Sequence, residues 1–153
     1  MDRSDLVRKF FNQARKMTLS LGASVVIYGV VGVYLIRMEK TAPMILKAQT
    51  YSIAKYGAFA VAIAGLFLMR QISARVMREF QASSPAERRP QKLLVSTIVM
   101  CVAAELPVLL GMILMFLGRQ SFDYIPFAIL ALTGFAFAFP KKQAWSTWLG
   151  IDL

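Results

Sequence analysis

Among the acidic residues of this 153-residue chain, Glu105 has the setting most suited to chemistry, because it interrupts the apolar run VMCVAAELPVLLGMILMF. A carboxylate at the centre of a hydrocarbon layer is unfavourable by about 3 kcal/mol even on permissive insertion scales, so it must be protonated, paired or hydrated. Pro107, two positions later, has no N–H and frees the carbonyl of Ala103, leaving an acceptor one turn away from its usual donor. A proton-bearing carboxyl can donate a hydrogen bond as well as accept one. Tyr28 and Thr133 occupy comparable depths in their own apolar runs, which makes them the expected hydrogen-bond partners. Two readings compete for this set. In one, Glu105 exchanges a proton or cation, assisted by Tyr28, Thr133 and the gap at Pro107. In the other it is a permanently neutral interhelical link, contributing about 0.6 kcal/mol.

Other chemistries are thinly supplied. The chain has no histidine and a single cysteine, Cys101, so a histidine-ligated haem, a His/Cys zinc site and a Ser-His or Cys-His nucleophile are excluded. No pair of carboxylates falls within the apolar runs, and the expectation is a protein that is not an enzyme and takes no cofactor and no metal. With one cysteine there is no disulfide within the chain from which to read the compartment.

The elements that would position Glu105 follow from composition. Hydrophobic residues make up 58% of the chain, and the mean hydropathy is +0.57, more apolar side chain than a soluble domain of this size readily hides from water. Four runs, 17–36, 52–69, 93–117 and 124–139, approach the ~20 apolar residues that cross ~30 Å of hydrocarbon as a helix. They are continuous rather than alternating, so helices are expected rather than barrel strands. The fold class is therefore all-α: a single domain over 1–153, an integral membrane four-helix bundle with a basic loop at 70–92.

Orientation comes from the cations. Lysine and arginine total 18 against 8 acidic residues, a net charge of +10, and they lie almost entirely between the apolar runs, where they are topology signals rather than a nucleic-acid footprint. Residues 1–16, the 70–92 connection and Lys141 and Lys142 carry most of them. Arg37, Lys40, Lys47, Lys55 and Arg119 fall to the opposite side. The positive-inside rule then places both termini in the cytoplasm of a cell whose inner membrane holds the protein.

Residues 1–16 put Leu6, Val7, Phe10, Phe11 and Ala14 on one helical face, a pattern suited to an amphipathic helix in the headgroup layer and equally to a plain extension of helix 1. The segment is too charged, and the run after it too long, for a cleaved signal peptide. Trp145 and Trp148 follow Lys141 and Lys142, the mixture of amphipathic rings and cations that anchors a chain at an interface. The 70–92 connection is expected to prolong helix 2 until Ser83, Ser84 and Pro85 break it, with Pro90 allowing a restart. Ala54, Gly57, Ala58, Ala62 and Gly65 on helix 2, and Ala128, Ala131, Gly134 and Ala138 on helix 4, form small-residue stripes that let helices approach closely. A faint repeat aligns GVVGVYLIR (29–37) with GMILMFLGR (111–119), which chance in membrane helices also produces.

The segment AAELPVLLGMILMF, 103–116, resembles the outer helix of the proteolipid rotor subunit c of rotary ATPases, in which an ion-binding carboxylate is closely followed by proline in some members. That resemblance implies Glu105 as the ion carrier. It covers one helix; helix 2 lacks the dense glycines of the family's inner helix, and helices 1 and 4 have no counterpart in a single hairpin. As a whole the chain resembles small four-helix bacterial membrane proteins to which no activity is assigned. The expected function is a proton- or cation-handling membrane component, or else a non-catalytic accessory or scaffold subunit. Its partners would be the lipid bilayer and other membrane proteins or copies of itself, with no nucleic acid.

Overall fold

The computed structural model describes the backbone of residues 3–38, 47–83 and 89–150, and the side chains of these except residue 3 and residues 76–83. Lys40, Ser84, Pro85 and Arg88 lie outside the described residues, and Arg78 does so in its side chain. Four long helices are present: α1 (Arg3–Met38), α2 (Ala48–Ser83), α3 (Arg89–Gly118) and α4 (Tyr124–Ala138), followed by a short α5 (Lys142–Leu149). A single 3-10 turn, Ser121–Asp123, joins α3 to α4. Four helical stretches, the last running through α4 and α5, are long and apolar enough to cross a membrane.

Each of the first three helices outruns its apolar core. Arginine, lysine, glutamine and alanine are good helix formers, and nothing in 3–16 or 70–83 interrupts the backbone ladder. Most of the basic connection 70–92 is consequently helix: α2 is prolonged to Ser83, as expected from the sequence, and α3 starts at Arg89, one residue before Pro90. Pro90 sits in the first turn of α3, where an N–H has no intrahelical partner to lose. Pro107 is inside α3 and fully buried, yet the helix continues through it to Gly118. Arg119 then ends α3 with a positive φ of 55°, the left-handed position that glycine usually takes after a helix.

α3 is the axis of the bundle. It packs against α1, α2 and α4; α1 also lies along α4, and α2 meets α4 over a shorter stretch. α1 and α2 therefore flank the α3–α4 pair and leave broad apolar faces outward, including Val26, Val30 and Tyr34 on α1 and Tyr56, Phe67 and Leu68 on α2. The helices meet through close-fitting contacts. Gly134 of α4 lies against Ala104 of α3, where a Cβ would come within 2.9 Å of the alanine's. Gly29 of α1 and Gly111 of α3 receive the Tyr124 ring from two sides, an added Cβ falling 2.8 Å and 3.3 Å from it. The Tyr124 hydroxyl reaches across and donates to the Val25 carbonyl of α1 at 2.6 Å.

The small-residue stripes divide on inspection. Ala62 is fully buried, with Ala54 and Ala58 packed beside it, and a Cβ at Gly65 would touch Leu106 at 3.3 Å. Gly57 is exposed, with open space where its Cβ would be, so it does not belong to the packing face. On α4, Ala131, Gly134 and Ala138 are buried and Ala128 is half-buried against the same core.

The N-terminal segment is not a separate helix lying in a headgroup plane. It is the first part of α1, and Val7, Phe11 and Ala14 are buried against Leu93 and Leu94 of α3 and Trp145 and Leu149 of α5. Phe11 meets Trp145 edge-to-face at 5.4 Å between ring centroids. Trp145 is thus a core residue of this end, a role different from the interfacial anchor its sequence context implies, while Phe10 and Trp148 pack at the edge of the cluster and Lys141 and Lys142 stay exposed. The two described chain ends lie together at this end of the bundle.

Candidate functional site

Glu105 lies near the centre of α3 and is half-buried. At 100° per residue it shares a stripe with Cys101, Val108 and Met112. That stripe meets α1: the Cys101 sulfur is 3.4 Å from the Thr18 hydroxyl, and Val108 and Met112 pack in the cluster that holds Val25. The next stripe around α3, Val102, Leu109 and Ile113, is exposed. Glu105 stands at the seam between the two, on the flank of the bundle rather than at its axis. Among the described residues its carboxyl makes no hydrogen bond and no ion pair.

The expected triad is not assembled. Thr133 is exposed, and its hydroxyl donates to the Ile129 carbonyl of its own helix at 2.8 Å. Its side chain lines a slot toward Ile63 and Leu66 of α2, the opposite side of α3 from Glu105. Tyr28 is 36% exposed on α1, has Tyr124 as its electrostatic neighbour, and makes no hydrogen bond to Glu105. Equal depth in three helices places residues in one plane; rotation about each helix axis decides which way they face, and the residue count carries no information about that. Pro107 is buried within the contact between helices, two residues from Glu105.

The chain matches no protein-family model, no curated protein and no solved structure.

A second polar constellation, absent from the sequence-based expectation, closes the opposite end. Asp123, in the 3-10 turn before α4, is 5% exposed. Its two carboxylate oxygens accept from the Lys55 ammonium and the Tyr51 hydroxyl, both on α2. The Leu114 carbonyl is 3.3 Å from the same tyrosine oxygen. Gly118 makes this possible, because any Cβ there would run into the Tyr51 ring. Its members come from α2, from α3 and from the turn between α3 and α4, so the cluster pins the start of α2 to the α3–α4 turn. Lys55 was readable as a cation inside an apolar run, and a cation there requires an acid at the same level. Asp123 is the acid adjoining that end, one residue before the run 124–139.

Proposed function

We propose that this chain is a multi-pass protein of the inner membrane with both termini in the cytoplasm, and that Glu105 serves as a proton- or cation-exchanging carboxyl presented on the bundle's flank. The observation that carries the reading is the seam position of Glu105. A carboxyl serving only as a neutral link would be expected to spend its proton on a neighbouring helix, and Glu105 has no such partner among the described residues. Exposed apolar side chains at Val102, Leu109 and Ile113 border it, so a lipid-soluble reagent, a partner helix or a second copy of the chain can approach it from the side. The resemblance of 103–116 to the outer helix of the rotor proteolipid supports the same assignment.

Dicyclohexylcarbodiimide attacks protonated carboxyls in apolar surroundings, which makes it the natural probe. In the full chain reconstituted into vesicles, an adduct at Glu105 located by mass spectrometry is expected, with labelling that falls as the pH is raised and vanishes in Glu105→Gln. An unmodified Glu105 at every pH, or proton flux identical in wild type and Glu105→Gln, overturns the assignment.

A second reading, an accessory subunit of a larger membrane complex, rests on α2. Tyr51 and Ala62 are its only buried residues among the described side chains, and its outward face, with Tyr56, Phe67 and Leu68 exposed, is free to meet another protein. Recovery from nanodiscs as a monomer, always alone, defeats this reading.

A further inference from the structure

At the end of the bundle that carries the chain termini, a cleft of about 480 Å³ opens between α2, the start of α3 and the α4–α5 corner. Two cations, Arg70 and Lys141, line it, and among the described residues no acidic side chain does. Among the described residues neither cation has a carboxylate partner. The Arg70 guanidinium is held in place over the Phe137 ring, 5.3 Å from its centroid. In the same cleft, the Ser73 and Ser96 hydroxyls are hydrogen-bonded to each other at 2.9 Å. One of the two donates in that bond, and the other keeps its proton for a further acceptor. Thr97 contributes no donor, since its hydroxyl is committed to the Leu93 carbonyl at 2.9 Å.

The cleft does not end there. Arg70, Met100 and Phe137 also line a second space of about 210 Å³, running up the seam between α2 and α4. Its remaining walls are the apolar Ile63, Leu66, Phe67, Leu130 and Gly134, together with Thr133, whose hydroxyl is committed to its own helix. One groove thus joins a basic, hydroxyl-bearing cleft to a hydrocarbon slot. Basic pockets between membrane helices on the cytoplasmic side suit anionic lipid headgroups, and the slot is where an acyl chain attached to such a headgroup must run.

We propose that this groove binds one anionic phospholipid, its phosphate between Arg70 and Lys141 with the serine pair donating, and one acyl chain along the α2–α4 seam. The site rests on the membrane-spanning, termini-inside part of the reading above and is independent of Glu105. α2 and α4 touch each other only over a short stretch, so a lipid in the seam would act as packing between them.

The protein's only two tryptophans, Trp145 and Trp148, both line the cleft and report on it directly. The full chain is reconstituted in phosphatidylcholine vesicles, and its flotation with them checks insertion separately. A small fixed fraction of the lipid is then replaced by phosphatidylglycerol or by phosphatidylcholine with brominated chains. Tryptophan quenching should show an apparent preference for the brominated phosphatidylglycerol. Arg70→Gln and Lys141→Gln, both at exposed positions, should each weaken that preference about 5-fold. Equal quenching by the two lipids in the wild type overturns the site, as does a preference that survives both substitutions. Relief of quenching by millimolar inorganic phosphate or glycerol phosphate would overturn the lipid assignment in favour of a free anion.

Discussion

At the scale of single residues, two acids in this chain show opposite solutions to the same problem. Asp123 is buried and answered by Lys55 and Tyr51; Glu105 is half-buried and unanswered among the described residues. Removing one partner of a buried ion pair leaves an uncompensated charge, a loss of ~3–5 kcal/mol when both partners are sealed from water. The Lys55 side chain is 35% exposed, so its ammonium keeps some solvation, and Asp123→Ala should cost about 2 kcal/mol. Reversible unfolding in detergent measures that loss. In a double-mutant cycle, Lys55→Ala should add little on top of Asp123→Ala, whereas full additivity would mean that the pair contributes nothing. This site escaped sequence reading because Asp123 falls one residue outside an apolar run and Lys55 three residues inside another. Counting Lys55 as a topology charge hid the fact that it needed a partner. The mid-run position of Glu105, by contrast, follows from the sequence itself, because no partner is required to see a carboxylate in the middle of the run 93–117.

At the scale of elements, the positions of the four apolar runs emerge from hydropathy, and their packing partners do not. Hydropathy reports that a residue avoids water, and in a membrane protein lipid and protein satisfy that preference alike. The glycines show the difference. Gly57 and Gly65 belong to one stripe by spacing, yet only Gly65 has a neighbour. Gly111, which no stripe singles out, lies where a Cβ would come within 2.7 Å of the Phe127 Cβ and 3.3 Å of the Tyr124 ring. Gly111→Ala should therefore force α4 off α3 and destabilise the bundle by about 1–3 kcal/mol, while Gly57→Ala should be neutral or slightly stabilising through helix propensity. Thermal unfolding of the two variants side by side tests the distinction, and equal losses would contradict the packing. The charged prolongation of α1 makes a similar point. Phe11→Ala should cost about 3 kcal/mol and loosen the N-terminal turns from α5, seen as a red shift of Trp145 emission. A helix that merely floats in the headgroups would lose no folding stability from that change.

At the scale of the whole molecule, the distribution of charge and the architecture converge on one arrangement. The N-terminal turns of α1, the start of α3 and α5 form one apolar cluster, which gathers the chain termini at the end where Arg8, Lys9, Arg15, Lys92, Lys141 and Lys142 are found. The far end holds Arg37, Lys47, Lys55 and Arg119. The positive-inside rule expects a bundle with such asymmetry to insert with its more basic end in the cytoplasm, which is the orientation proposed above. Packing supplies an independent constraint: since Phe11 and Trp145 touch, the termini cannot lie on opposite sides of a bilayer. Thiol mapping resolves which side they share. Cys101, the only native thiol, is 1% exposed and should give no background with a membrane-impermeant maleimide. Introduced at exposed positions at either end, Gln120→Cys should label in intact cells, and Thr147→Cys only after the membrane is opened. Labelling of Thr147→Cys from outside would invert the topology. It would also move the Arg70 and Lys141 groove to the leaflet facing away from the cytoplasm, so this one measurement bears on the orientation and on the lipid site together.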